Sequence, residues 1–413
     1  MPILIKNIKK LLQIRPVEIK VVSGEEMKEL PSIDNAFLLV ENGKIKDFGK
    51  MQNCPRIDVD NIYDAKGCMV LPSWCDSHTH IVYAGDRSSE FMDRIKGLTY
   101  EEIAEKGGGI LNSAKLLERT SEEDLYNQSM ERINDVIKLG TGAIEIKSGY
   151  GLSYDGELKI LEVIKKIKDN TEIQVKSTFL GAHAYPRKYK ENKEAYLDLI
   201  LNKMLPDFSK QKLIDFIDVF CEKGYFSKED TEKIINEGKK YNLPAKIHVN
   251  QFNSFGGVDI AVKNKALSVD HLEVLTNDDL KSLKNGNTIA VVLPVCSFFL
   301  GIDYAPARKI IDAGLPLAIA SDYNPGSSPS GNMNFVISTA CTKMKITSEE
   351  AINAATINGA FAMNLSDRLG SITKGKIANL IITNPIKSID EIPYSLADNK
   401  IKNLLLKGEF YKL

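Results

Sequence analysis

Residues 76–80 read Asp-Ser-His-Thr-His and follow an apolar run, Met-Val-Leu-Pro, at residues 69–72. A second apolar run, Ile-Val-Tyr at residues 81–83, comes directly after them. Because side chains alternate faces along a strand, His78 and His80 are expected to point to the same side. Two imidazoles on one side can bind one ion of Zn, Fe, Cu or Ni. An isolated pair is more often structural, so its meaning depends on the rest of the chain.

The composition is that of a globular enzyme-sized protein with no charge bias. The chain has 413 residues, of which 43% are hydrophobic and 26% charged, and its net charge is -1. Such a charge gives no field that recruits nucleic acid or an anionic membrane. We find no signal-peptide layout and no apolar run of about 18 residues. Six cysteines without CxxC spacing favour reduced thiols, so we expect a cytoplasmic protein without nucleic-acid or membrane partners.

Both ends of the chain predict β structure. Asn42-Gly43 lies between two apolar runs, which is typical of a β-hairpin. Short apolar runs recur near the other end, at residues 377–383 and 401–406. We therefore predict a small β-sandwich domain built from both termini, with boundaries at 1–68 and 366–413.

Between these ends, apolar strand patterns alternate with helical patterns. Continuous apolar strands alternating with helices indicate a parallel sheet. About eight such units predict a (β/α)8 barrel of the TIM type over residues 69–365. A doubly wound open sheet is the alternative, although no Gly-x-Gly-x-x-Gly follows a predicted strand. Helix caps are expected at Ser121, Asp155, Ser227 and Thr276. The predicted strands are 69–71, 143–146, 173–180, 216–220, 245–249, 267–269, 288–293 and 317–320.

Polar residues with metal-binding or acid–base chemistry follow these strands. Active-site residues of barrel enzymes lie at the carboxyl ends of the strands. All five histidines of the chain occupy such positions, and an aspartate follows the eighth strand; they are His78, His80, His183, His248, His271 and Asp322. The sequence therefore predicts one site at this end of the barrel.

The order of these residues resembles that of the amidohydrolase superfamily of metal-dependent barrels, over essentially the whole chain. Four segments resemble the imidazolonepropionase family more closely: EIKSGYG at 145–151, TFLGAH at 178–183, Asp-His-Leu at 270–272 and DYNPG at 322–326. One departure is Pro-Ser-Trp-Cys at 72–75, where the superfamily usually has Pro-Gly and an apolar pair. It affects local packing and no ligand.

The resemblance implies one metal ion per chain. Zn is the first choice and Fe the second, and the ligand types alone do not separate the two metals. The implied ligands are His78, His80, His248 and Asp322. Some relatives hold two metals bridged by a carboxylated lysine from the fourth strand. Here that strand ends in Cys221 and Glu222, so we predict a single ion.

The resemblance also implies the reaction: hydrolysis of the cyclic amide of 4-imidazolone-5-propanoate to N-formimidoyl-L-glutamate by a metal-activated water. His271 is the candidate proton carrier, and Asp322 is an alternative for that role. Arg87 would pair with the substrate carboxylate through its fork of N–H groups. The implied substrate contacts are Arg87, Tyr150, His183, Gln251, Asn324, Gly326 and Ser327.

Two other classes of function stay open at this stage. Another cyclic amidase or a deaminase uses the same scaffold, but deaminase relatives commonly have glutamate where Gln251 stands, and an amide cannot carry a proton at neutral pH. A metal-free barrel that only binds a ligand is the second alternative. The resemblance also implies a homodimer. The glycines at 107–109 fit either a lid hinge or a plain turn.

Overall fold

The computed structural model describes residues 2–56, 61–98, 102–103 and 106–412. The predicted hairpin is confirmed, with Leu38 opposite Phe48 in an antiparallel pair. Asn42 and Gly43 have φ angles of 52° and 74°, the left-handed values that a tight hairpin turn requires. The strands of this half are β1 (Ile3–Leu12), β2 (Ser32–Glu41), β3 (Lys44–Lys50), β4 (Asn61–Asp64) and β5 (Cys68–Pro72).

The predicted (β/α)8 barrel is confirmed within the described residues. Its eight parallel strands pair in chain order: β6 (Trp74–Asp76), β7 (Thr141–Lys147), β8 (Gln174–Ala182), β9 (Phe216–Cys221), β10 (Ala245–Val249), β11 (Ser268–His271), β12 (Ile289–Val292) and β13 (Leu317–Ile319). The ring closes just beyond the first and last strands. There Asp322 N donates to His78 O at 3.0 Å, and His80 N donates to Tyr323 O at 2.9 Å. Backbone hydrogen bonds thus bring two distant parts of the predicted site together.

The first barrel strand is not the one predicted. Residues 69–71 belong to β5, which pairs with β1 and not with a barrel strand. The chain passes from β5 into β6 across Ser73 alone, and all of these residues are buried. Because burial is equal in both strands, the apolar pattern could not indicate which of them joins the barrel.

The two termini form one mixed sheet, as predicted in outline. Its strand order is β16-β15-β14-β5-β1-β2-β3, with β4 paired to β1, and the remaining strands are β14 (Leu380–Pro385), β15 (Ile401–Leu406) and β16 (Glu409–Tyr411). The sheet curls on itself, since Ala378 N donates to Gly43 O at 2.9 Å. Side chains from strands of the N-terminal part and of the C-terminal part pack into one core. The boundaries at 1–68, 366–413 and 69–365 stay a prediction.

Helices alternate with the barrel strands and pack against them. Among the described residues, no helix combines the length and the apolar composition needed to cross a membrane. The helices are α1 (Ser88–Ile95), α2 (Ile110–Arg119), α3 (Glu122–Lys138), α4 (Tyr154–Asn170), α5 (Lys193–Leu199), α6 (Leu205–Lys210), α7 (Lys228–Lys239), α8 (Gly257–Lys263), α9 (Asn277–Lys284), α10 (Pro294–Leu300), α11 (Ala307–Asp312), α12 (Met333–Met344), α13 (Ser348–Ala355), α14 (Ile357–Ala362) and α15 (Glu391–Tyr394).

Three of the four predicted helix caps are confirmed: the side chains of Ser121, Ser227 and Thr276 each accept a hydrogen bond from the first turn of the helix that follows. The prediction of Asp155 is wrong. Ser153 caps α4 instead, because its Oγ accepts from Gly156 N at 3.1 Å. This earlier start places Glu157 under the loop that follows β7. There its carboxylate accepts from three backbone N–H groups.

Candidate metal centre and substrate pocket

His78 and His80 follow the short strand β6 and lie beside Asp322. Each histidine has its Nε2 3.6 Å from Asp322 Oδ1, and all three side chains are buried. Two ligands held about 2.1 Å from one tetrahedral ion would be separated by about 3.4 Å. Within the described part of the chain, His78 Nε2 has no hydrogen-bond partner. These three side chains therefore fit a metal ion.

Two further histidines complete the cluster. The ring centre of His248, at the end of β10, lies 4.4 Å from that of His78 and 5.5 Å from that of His80. Ligand atoms of His78, His248 and His271 lie within 4.8 Å of one another. The structure thus brings the four predicted ligands together, with His271 beside them.

Two aspartates that the sequence analysis missed contact His78 and His248. His78 Nδ1 donates to Asp270 Oδ2 at 2.6 Å, and His248 Nδ1 lies 2.9 Å from Asp218 Oδ2. A carboxylate on one ring nitrogen leaves the other free for a metal. Burial lowers the pKa of both imidazoles well below the usual value, so they stay neutral. The available signal was a charged residue inside an otherwise apolar strand.

Beneath the histidines lies a buried ion network, also missed by sequence reasoning. Lys147 Nζ is 2.7 Å from Glu145 Oε1, 2.8 Å from Asp218 Oδ2 and 3.6 Å from Asp270 Oδ2. A second lysine, Lys246, lies 2.7 Å from Glu145 Oε2. Burial opposes the charge of Lys147, but the Asp218, Glu145 and Asp270 carboxylates outweigh it and raise the pKa of the ammonium. The network connects the two aspartates that contact His78 and His248.

The two candidate proton carriers have unusual environments. His271 and Asp322 have φ angles of 88° and 54°, a region that residues other than glycine rarely adopt and that is typical of functional sites. Burial favours neutral His271, but Glu273, whose Oε1 lies 3.4 Å from His271 Nδ1, and the nearby aspartates raise the pKa of this imidazole overall. Burial raises the pKa of Asp322 to about 6, although nearby His271 opposes that rise.

A small cavity of about 60 Å³ opens above the cluster. His80, His248, His271 and Asp322 line it, whereas His78 lies outside its lining. Apolar side chains that the sequence analysis did not single out also contribute, such as those of Phe220 and Phe252. All seven predicted substrate-contact residues line the same cavity: Arg87, Tyr150, His183, Gln251, Asn324, Gly326 and Ser327.

The EIKSGYG loop fixes the tautomer of His183. His183 Nδ1 donates to Gly149 O at 3.0 Å, so Nε2 is the acceptor nitrogen. Burial lowers the pKa of this imidazole to about 4, which keeps it neutral. Gly149 has a φ of 109°, and a Cβ there would lie 2.8 Å from His183 Nδ1, so this position requires glycine. The ring stacks at 5.3 Å on His80.

Arg87 is held on one side by a carboxylate. Its Nε donates to Glu90 Oε2 at 2.7 Å and its Nη2 lies 2.6 Å from the same oxygen. Gly109 N donates to both oxygens of Glu90 at 3.1 Å. The glycine segment is therefore tied to Arg87 through Glu90. A Cβ at Gly326 would lie 2.0 Å from Arg87 Nη1, so a larger residue there would displace the guanidinium.

The DYNPG turn and Gln251 supply amide groups to the cavity. Asn324 Oδ1 accepts from Gly326 N and Ser327 N, both at 2.8 Å. Gln251 Nε2 lies 3.8 Å from the sulfur of Cys296. These contacts fix polar groups over the histidine cluster, where they can orient a small polar ring.

Comparison with known proteins gives the family. A family model described as the amidohydrolase family matches residues 69–410. An imidazolonepropionase of Flavobacterium psychrophilum is 62% identical over 99% of this chain and 100% of that protein. An imidazolonepropionase of Caldanaerobacter subterraneus is 35% identical over 98% of this chain and 96% of its own length.

Solved structures agree on the fold. A guanine deaminase from Escherichia coli has a TM-score of 0.74 at 14% identity, with 100% of this chain and 99% of the other covered. A guanine deaminase from C. acetobutylicum has a TM-score of 0.72 at 17% identity, over 99% and 100% of the two chains. Likeness at such identity shows the shared architecture alone. The chain belongs to the amidohydrolase family and, within it, to the imidazolonepropionases, which are hydrolases.

Proposed function

We propose that this chain hydrolyses the cyclic amide of 4-imidazolone-5-propanoate to N-formimidoyl-L-glutamate, a step of histidine degradation. The observation that carries the proposal is one cavity lined both by the histidine cluster and by buried Arg87. A guanidinium beside a metal-binding cluster suits a substrate that has a carboxylate and a hydrolysable ring. The imidazolonepropionases that resemble this chain support the same assignment.

We assign one metal ion to His78, His80, His248 and Asp322. Three neutral imidazoles and a carboxylate form a donor set that suits Zn first and Fe second. When bound, such an ion would lower the pKa of a water molecule and so supply the nucleophile. Asp270 accepts from His78 Nδ1, and Asp218 Oδ2 lies 2.9 Å from His248 Nδ1, which leaves Nε2 of both rings available to the ion.

The other lining residues position the substrate. Arg87 lines the cavity and pairs with the propanoate carboxylate. His183 accepts a ring N–H at Nε2, because its Nδ1 already donates to the backbone. The Gln251 amide orients the ring, and Tyr150 and the turn formed by Asn324, Gly326 and Ser327 enclose it.

His271 and Asp322 carry the proton. Hydrolysis consumes one water: its oxygen bonds to the ring carbonyl carbon, the carbon–nitrogen bond breaks and a proton passes to the departing nitrogen. Glu273 lies at His271 Nδ1, so Nε2 is the nitrogen that exchanges this proton. Asp322, whose carboxylate borders His271, is the second carrier.

An assay with freshly made imidazolonepropionate tests the proposal. We expect loss of substrate without release of ammonia, which separates this reaction from deamination; hydantoins and purines should be poor substrates. Arg87→Ala should raise KM by about 10- to 100-fold, because a charged hydrogen-bond donor to the carboxylate is lost. Arg87→Lys should recover part of the loss, and Arg119→Ala, on the exposed side of α2, should change nothing. An unaltered KM in Arg87→Ala would exclude the carboxylate clamp.

Metal content and its pH dependence form a separate prediction. After dialysis at neutral pH we expect one ion per chain. Because the carboxyl pKa of Asp322 is raised to about 6, this ligand is neutral below that pH and ionised above it. Affinity should therefore be constant above about pH 6 and fall about tenfold per unit below it. A chelator competition from about pH 5 to 8 measures this, and Asp322→Asn should show weaker binding without the break near 6. Two tightly held ions would contradict the assignment.

We further propose a cytoplasmic homodimer. The six cysteines are all free, which suits a reducing compartment. The homodimer is the expectation that comes with the imidazolonepropionase family.

A further inference from the structure

A second group of ligand atoms lies next to the proposed metal centre and shares none of its four ligands. His271, Glu273 and Cys296 each place one donor atom within 4.8 Å of the other two, and all three residues are buried. Cys296 lies in the first turn of α10, just after β12, and its thiol contacts the Asp322 carboxylate. Asp322 Oδ1 faces His78 and His80. Asp322 thus borders both groups.

The carboxylate of this group lacks a full set of partners. The Glu273 side chain is only 3% exposed, and its Oε2 has no hydrogen-bond partner among the described residues. Its Oε1 lies 3.4 Å from His271 Nδ1 and accepts from Ser297 Oγ at 3.3 Å. Leaving a buried carboxylate oxygen unpaired is costly, and a cation removes that cost.

The chemistry of the three donors selects a class of ion. A thiolate sulfur, an imidazole nitrogen and a carboxylate oxygen together suit Zn²⁺ and softer divalent ions, and do not suit Mg²⁺ or Ca²⁺. We propose that His271, Glu273 and Cys296 form a second, weaker site for a divalent ion of the Zn²⁺ and Cd²⁺ class, and that its occupation inhibits the enzyme. Binding displaces the thiol proton to solvent and involves no redox step.

The second site should bind its ion more weakly than the four-ligand site binds the resident ion. It offers three protein ligands, the cysteine must lose a proton, and the resident ion repels a second cation nearby. It therefore fills only when such ions are in excess over the resident stoichiometry.

Inhibition follows from the use of His271. An ion at His271 Nδ1 holds the ring and adds positive charge, which disfavours uptake of a proton at Nε2. This part rests on the proposed function, whereas ion binding itself does not. The two parts can therefore fail separately.

The experiment uses the enzyme with its resident ion and Cd²⁺ as the probe. Equilibrium dialysis should show one additional ion per chain, and ultraviolet absorbance from thiolate-to-Cd²⁺ charge transfer should rise with it. Hydrolysis should decline in parallel with that absorbance. Cys296→Ser should lose the absorbance and weaken binding of the additional ion by about tenfold or more. Cys221→Ser removes another buried thiol, at the end of β9, and should behave as the wild type.

Glu273→Gln is a second variant, which keeps the thiol and removes the carboxylate. It should weaken binding of the additional ion while the absorbance still appears at saturation. The proposal is overturned if no additional ion binds, if Cd²⁺ only replaces the resident ion, or if Cys296→Ser retains the absorbance. Binding without loss of activity overturns the inhibitory part. A chain that binds the additional Cd²⁺ but does not hydrolyse imidazolonepropionate contradicts the proposed function and not this site.

Discussion

His271→Ala is expected to lower kcat by about 10²- to 10⁴-fold, the usual contribution of a positioned proton carrier. The resident metal content should not change, because His271 is not among the four proposed ligands. KM should change little, since Arg87 and the DYNPG turn provide the proposed contacts to the substrate. Steady-state kinetics on metal-replete enzyme, with metal content measured on the same sample, separates these quantities.

Two further measurements distinguish a proton carrier from a merely structural histidine. Added imidazole should restore part of the activity of His271→Ala, because a small base can enter the vacated position. Glu273→Gln should shift the pH profile to lower pH, because the Glu273 carboxylate helps to raise the pKa of His271. If kcat of His271→Ala stays within a few-fold of the wild type, the proton passes through Asp322 instead.

The fold and the principal site residues were predictable from the sequence for a physical reason. Each histidine lies near the end of a predicted strand or after it, and the carboxyl ends of parallel strands meet at one end of a barrel. His183, His248 and His271 could therefore be assigned to one site without knowledge of any contact. The hairpin at Asn42-Gly43 was equally accessible, because only a few residue types adopt two successive left-handed conformations.

The buried ion network beneath the site could not be predicted in the same way. Lys147 and Asp218 lie 71 residues apart in the chain, and His78 and Asp270 lie 192 apart. No local pattern connects such residues, and a charged side chain inside a strand suits an exposed edge equally well. Glu90 was missed for a related reason, since on a surface helix the i, i+3 pair with Arg87 would be unremarkable.

Lys147→Met is expected to destabilise the fold by about 3–5 kcal/mol, the usual result of removing one partner from a buried ion network. The lysine side chain is fully buried, as are those of Glu145, Asp218 and Asp270 around it. The variant leaves three buried carboxylates with Lys246 as the nearby cation. Urea unfolding of metal-free protein measures the loss without a contribution from metal binding.

The electrostatic origin of that loss can be tested by pH. Carboxylates left unpaired in the folded variant have a pKa above that of the unfolded chain, so the penalty is largest when they are ionised. The difference in unfolding free energy between wild type and Lys147→Met should therefore shrink as pH falls from about 7 to 5. Lys176→Met removes a partly exposed pair with Asp215, the residue just before β9, and should cost less than about 1 kcal/mol. A deficit in Lys147→Met that is independent of pH would instead indicate loss of packing, and the lysine would then act by filling space and not by its charge.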